Sequence, residues 1–260
     1  MPRIQYLEFH DQPWFPAGMR RLVTENLRFA EALADPYSVA APILAEALRS
    51  TGERRVVDLC SGSGGPWPYL KPRVEALLGE PITLTLTDLF PHPAALEAFP
   101  ERDRASVMVH AESVDATAVP AGLAGFRTIF TAFHHFPPAA AQAILADAVA
   151  QRQGIAIFEL TARRPEHLFA IALTPLMHIP AAPFVRPFSW RRMLWSWLVP
   201  VLPLVLLHDG LVSCLRTYTP RELGAMIAAL PDNHHAWRSG MVRPKGSPCA
   251  AVYLTGVPAA

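Results

Sequence analysis

Residues 56–65 read Val56-Val57-Asp58-Leu59-Cys60-Ser61-Gly62-Ser63-Gly64-Gly65. An apolar run ends in a carboxylate and then turns through small residues. Gly62 and Gly64 admit positive φ and let a ligand approach the backbone where other residues carry a Cβ. A carboxylate at Asp58 would orient such a loop or receive a cationic amino group. With no ligand, the same stretch serves as a tight strand-to-helix turn. Further short apolar runs follow at Ile82 to Leu86, Ser106 to Val109, Arg127 to Phe130 and Gly154 to Phe158. Helix-like segments separate them, clearest at Ala139 to Gln151. Strands alternating with helices predict βαβ units and a parallel sheet. Two later runs, Ala236–Val242 and Ala250–Leu254, flank a Pro-Lys-Gly-Ser-Pro turn and fit a hairpin on the sheet edge.

Two cofactor classes use a glycine turn after a strand. A dinucleotide fingerprint needs Gly-x-Gly-x-x-Gly. Counting from Gly62 puts Trp67 at the third glycine, and counting from Cys60 puts a cysteine at the first. Pro66, Pro68 and Pro72 also argue against a regular helix directly after the turn, which a pyrophosphate site wants. The stretch instead resembles the first motif of the class I S-adenosylmethionine (SAM)-dependent methyltransferases, acid-x-Gly-x-Gly-x-Gly after strand 1. Asp58, Gly62 and Gly64 match it. Cys60 stands at the first glycine, a replacement that holds if its φ stays negative.

The resemblance continues in order along the chain. Asp88 ends the second run, where the family places an acid on both ribose hydroxyls; the alternative is a helix N-cap before Pro93. Glu112-Ser-Val-Asp115-Ala116 resembles the third motif, whose acid meets the adenine amino group; the alternative is an aspartate in a turn. Thr128-Ile-Phe-Thr-Ala-Phe-His134-His135-Phe136-Pro137 resembles the strand 4 motif with its loop at the active centre, and Glu159 lies near the end of strand 5. The resemblance implies a Rossmann-like, mostly parallel seven-stranded sheet with flanking helices. It implies SAM as cofactor, held by Asp58, Cys60, Ser61, Gly62, Gly64, Asp88, Leu89, Asp115 and Ala116. His134 and His135 are the candidate general bases; neighbours on an extended loop point opposite ways, so one at most would face the substrate.

Composition narrows the remaining classes. The 260 residues are 51% hydrophobic and 17% charged, with net charge +1. Such a chain can bury a full core. The charge balance argues against a nucleic-acid partner. Three cysteines, Cys60, Cys214 and Cys249, lack metal-ligand spacing, and a disulfide framework is not expected. The first fifteen residues lack the apolar run of a signal peptide, so a cytoplasmic location is the expectation. Glu8, His10 and Asp11 contain metal-ligating groups, but proximity in sequence supplies no coordination geometry, and no metal is expected.

Residues 1–50 read as a helical N-terminal cap and residues 51–260 as the methyltransferase-like domain. Residues 160–215, broken by prolines and rich in Leu, Phe, Trp and Met, form an insertion too long for an ordinary αβ connection of about 2–6 residues. Its stretch Met193–Leu207 has Ser196 as its one polar residue. At 1.5 Å per residue, fifteen residues reach about 22 Å, short of the roughly 30 Å a bilayer requires. The stretch therefore reads as a buried lid helix, with an acceptor-pocket wall or a membrane-facing patch as alternatives. Trp14 and Phe15 of the N-terminal segment, Trp195 and Trp197 of the lid, and Arg216 and Tyr218 after it are the candidate acceptor-binding residues; the alternatives are a hydrophobic staple into the first helix for the N-terminal pair and a structural ion pair for Arg216. A small or medium-sized hydrophobic acceptor follows from the apolar lid. A lipid-like acceptor with peripheral membrane contact is the runner-up, and a non-catalytic SAM-binding module is the reading outside the enzyme class.

Overall fold

The computed structural model describes residues 1–231 and 233–259. Seven strands form one sheet: β1 Arg55–Asp58, β2 Thr83–Leu86, β3 Val107–Val109, β4 Phe126–Phe130, β5 Ile155–Glu159, β6 His235–Val242 and β7 Ala251–Pro258. Their order is β3-β2-β1-β4-β5-β7-β6. Strands β1 to β5 are parallel, and β7 runs antiparallel between β5 and β6. The helices are α1 Ala17–Ala34, α2 Ala40–Thr51, α3 Trp67–Leu78, α4 Glu101–Arg104, α5 Pro138–Ala150, α6 Pro165–Ala172, α7 Thr174–Ala181, α8 Trp190–Met193, α9 Val201–Arg216 and α10 Pro220–Ala228. A capping box between Thr219 and Glu222 starts α10.

Every residue of β4 and β5 is buried, as expected of central strands covered on both faces. Alternation along each strand builds two cores. Val56, Phe130 and Phe158 join Leu44, Leu48, Trp67 and Leu70 on one face. Val57, Ile129 and Ile157 join Ile144, Leu145 and Leu223 on the other. The chain therefore places α2 in the layer covering the sheet, although the sequence suggested a cap over residues 1–50. Only the segment before it, through α1, belongs to the cap. There Phe15, Leu22 and Val23 pack on Leu202, Val205 and Leu206 of α9 in a third core.

Two further expectations are corrected. Helix α3 begins at Trp67, despite Pro66, Pro68 and Pro72. The Pro66 carbonyl accepts from both Tyr69 N and Leu70 N, and Pro68 sits in the first turn, where a missing N–H costs little. Met193–Leu207 is not one helix. A π-helical turn, Leu194–Leu198, follows α8, and the pair Trp190–Leu198 and Val201–Arg216 is bent by 78°. Among the described residues no single helix is long and apolar enough to cross a membrane.

Candidate active site

In a doubly wound sheet, ligands sit at the carboxyl ends of the strands where successive connections leave in opposite directions. Here that point lies between β1 and β4. Asp58 ends β1 and is buried; its Oδ1 accepts the Thr128 hydroxyl at 2.6 Å. Burial pushes the Asp58 carboxyl up to about 6, against the hydrogen bonds that favour its charge. Its backbone carbonyl accepts from Thr87 N, Thr87 Oγ1 and Ser61 Oγ, each within 2.9 Å. These bonds join the β1 turn to the end of β2.

The turn passes through left-handed backbone at Cys60 (φ 57), Gly62 (φ 51), Gly64 (φ 100) and Gly65 (φ 49). Cys60 thus departs from the negative φ expected of it. Ser61 N–H donates to Thr87 O at 3.0 Å, and holding Ser61 against β2 imposes the reversal one residue earlier. A Cβ on Gly62 would meet nothing within 4 Å, whereas one on Gly64 would press Phe99 at 3.2 Å. Gly62 therefore borders open space, and Gly64 is small for packing.

Asp88 receives Gly62 N–H on Oδ2 and Phe90 N–H on Oδ1, each at 2.9 Å. It caps that turn and its own, while His92 holds the N-cap position of the 3-10 helix Pro93–Ala98 without a side-chain bond. Each carboxylate oxygen retains a lone pair for a further donor. The Asp88 carbonyl accepts from Val114 N, which brings the exposed Asp115 loop alongside. Asp115 Oδ1 accepts from Thr117 N and Oγ1. Ala116 is buried beneath it, and Leu89 is half exposed, with its carbonyl accepting from Ser113. Gly62 borders open space, Asp88 keeps free lone pairs and Leu89 is half exposed, so an adenosine bound along this edge would find Asp88 for its hydroxyls, Asp115 for its amino group and Leu89 for its ring.

The histidines follow β4 in a tight 3-10 turn, Phe133–His135, whose rings lie 4.1 Å apart and inclined by 33°. They do not point opposite ways, because the turn is wound and not extended. His134 is buried. Its Nδ1 lies 2.7 Å from Glu159 Oε2, its N–H donates to Glu159 Oε1 at 3.0 Å, and its Nε2 has no hydrogen-bond partner among the described residues. Glu159, last residue of β5, thereby fixes both the ring and the turn. Its place at the end of an apolar strand, like that of Asp58, is the sequence signal that pointed to it; its role as the histidine's partner was not foreseen.

Residues 3–11 lie across this turn as a strap. Arg3 donates to the carbonyls of His134 and Phe136 at 3.0 Å and stacks on Tyr218, 4.2 Å from the ring centroid. Asp209 of α9 accepts from Phe9 N at 2.8 Å and His10 N at 3.0 Å. Arg216, at the end of α9, reaches Glu8 Oε1 at 3.1 Å and Asp11 Oδ2 at 2.8 Å. Asp11 is held well below the usual carboxylate range: burial works upward, but His135 and Arg216 outweigh it. Glu8 is pushed by burial up to about 7, despite His135 and Arg216. Glu8, His134 and His135 present ligand atoms within 4.8 Å of one another. The Arg216 guanidinium already supplies the cation there, and His10 stands outside the group, so the cluster reads as an ion-pair network.

The candidate acceptor residues do not share one surface. Phe15 is buried in the α1–α9 core, with Trp195 packed against it. Trp14 is exposed, and so is Trp197, although its indole N–H donates to Ile179 O at 2.7 Å. Tyr218 is buried, its hydroxyl donating to Phe136 O at 2.7 Å, and it lines a small apolar cavity beside Glu159 and Phe133. Arg216 is fully engaged by the strap, including the Tyr6 carbonyl, which leaves no free edge for an acceptor anion.

No family model and no curated protein matches the chain. Solved structures do. The plantazolicin methyltransferase BpumL, in complex with SAH, is 11% identical with a TM-score of 0.57, over 96% of this chain and 94% of that one. The methyltransferase domain of bacterial CtHen1-C is 13% identical with a TM-score of 0.51, over 85% and 97%. The chain has the fold of the class I methyltransferases.

Proposed function

We propose that the protein is a SAM-dependent methyltransferase that methylates a hydroxyl on a small or medium-sized apolar acceptor. The observation that carries this is the Glu159–His134 pair. A histidine with one nitrogen held by a carboxylate and the other buried without a hydrogen-bond partner among the described residues is arranged to take a proton. It stands just past β4 and is held to the end of β5, while the turn at Gly62, which borders open space, follows the neighbouring strand β1. SAM supplies a sulfonium-activated methyl group when bound, so the protein's own task is to align the acceptor and exclude water. Glu159 sets the Nδ1–H tautomer, leaving Nε2 to accept the hydroxyl proton as the oxygen attacks. The strap covers His134, with Glu8 Oε1 3.7 Å from Nε2, and keeps the base dry; entry of the acceptor requires it to move aside. The apolar insertion beside α1 favours an apolar acceptor. A lipid-like acceptor is the second reading, favoured by the large apolar side chains that the insertion exposes.

The test has two parts. Calorimetry is expected to give SAH binding with a Kd on the order of 1 μM, about −8 kcal/mol. Incubation with methyl-labelled SAM and fractionated cell extract is expected to yield a labelled methyl ether in apolar fractions. Absence of SAH binding overturns the cofactor assignment. Binding without transfer to any fraction favours the non-catalytic module.

A further inference from the structure

The insertion exposes an apolar surface that the sheet does not use. Leu176 and Met177 of α7, Phe184, Trp190 of α8, and Trp197 and Leu198 of the π turn are all more than half exposed. They belong to one stretch. The Trp197 indole ties the π turn to α7 through Ile179 O, and Arg192 ties the 185–187 loop to α8 through the carbonyls of Val185 and Pro187. Scattered apolar side chains are normal on a protein surface, but a contiguous aromatic and aliphatic face marks an interaction site.

Charge decides the occupant. Residues 167–208 contain no aspartate or glutamate and three arginines. Arg192 is buried and paired with Glu25 of α1. Arg186 and Arg191 remain exposed, flanking Phe184 and Trp190. Tryptophan and phenylalanine next to arginines that make no salt bridge among the described residues, in a stretch without acids, is the composition of elements that lie in a bilayer interface and meet anionic headgroups. The geometry agrees: Trp190–Leu198 turns away from α9 by 78°, which suits it to lie along one leaflet while α9 stays packed on α1.

We propose that this face of the insertion docks on the surface of an anionic lipid bilayer. α1 and α9 rest on the side away from it, where they join the strap and the histidine turn. Docking would set the acceptor entrance near the membrane, but the proposal does not depend on methyl transfer.

The test is flotation of the full chain with vesicles of phosphatidylcholine alone and of phosphatidylcholine mixed with phosphatidylglycerol. The protein is expected to float with the mixed vesicles, less so at high salt, and weakly with the neutral ones. Arg186→Glu with Arg191→Glu is expected to weaken binding at least roughly thirtyfold, the factor two basic side chains supply near an anionic surface. Phe184→Ser with Trp190→Ser is expected to abolish it. Both variants are expected to keep the wild-type thermal midpoint, since these side chains are exposed, and the same SAH titration. No flotation with mixed vesicles, or undiminished flotation of the arginine variant, overturns the proposal. So does a concentration-dependent dimer, dissociated by Phe184→Ser with Trp190→Ser, in a protein that ignores vesicles: the face would then join two copies of the chain.

Discussion

His134 Nδ1 lies 2.7 Å from Glu159 Oε2, and the same carboxylate accepts the His134 backbone N–H through Oε1 at 3.0 Å. One acid at the end of β5 thus sets the ring, its tautomer and the turn that carries it.

Removing either partner separates base chemistry from cofactor binding. His134→Ala is expected to lower single-turnover methyl transfer by about 10²–10⁴-fold. Glu159→Gln leaves the imidazole in place without fixing its tautomer, and a loss of the same order is expected. SAH affinity, measured by calorimetry, stays near wild type in both. Near-native rates in both variants would show that transfer proceeds by positioning alone.

Asp88 has two duties, and Asp88→Asn splits them. The amide oxygen still accepts one of the two backbone N–H groups, so the fold is retained. The second acceptor is lost, and SAH affinity is expected to fall by about 1–3 kcal/mol. Unchanged affinity in a folded variant would falsify the ribose assignment.

Cys60 sits at φ 57, where a non-glycine residue is strained. Cys60→Gly is expected to keep SAH binding and change the urea midpoint little, backbone relief offsetting the lost side chain. Cys60→Val sets a β-branched residue in the same backbone and is expected to destabilise by about 1–3 kcal/mol. Equal midpoints for the two variants would remove the argument from strain.

Glu8 gives the fold a pH dependence with a definite sign. Its folded pKa, about 7, lies above its ordinary 4.5, so the folded state holds the proton more tightly. Its contribution to stability is therefore present below about pH 4.5 and declines as pH rises through about 7. Glu8→Gln cannot ionise. The variant is expected to gain on the wild type above pH 7, by roughly 1–3 kcal/mol. Urea melts at a series of pH values check this, and a constant difference across the series would assign the ionisation elsewhere.

What could be read from the chain was local. Asp58, Asp88 and Glu159 each end a short apolar run, and a strand delivers its last side chain to the sheet edge whatever follows. The parallel order followed from alternating strand and helix patterns, and the terminal hairpin from two runs about a proline-bounded turn. The reversal at Cys60 was hidden because its cause is a bond from Ser61 to Thr87, on a different strand. The stacked histidines were hidden because a 3-10 turn and an extended loop share the same residues. For Arg216 the sequence left an acceptor ligand and a structural ion pair open; it is the ion pair, and its partners could not be named because Glu8 and Asp11 lie 208 and 205 residues away, where no periodicity connects them.

That separation has a consequence for how the molecule is made. Closing a loop of 200 residues adds only modestly to the entropy cost of a shorter one, but such a contact stabilises nothing until both of its ends exist. During synthesis the strap leaves the ribosome first and waits until residue 216 has followed. Asp58, the glycine turn and Asp88 need only the first half of the chain. The residues of the cofactor edge are therefore all present in the nascent chain well before the cover over His134 can close.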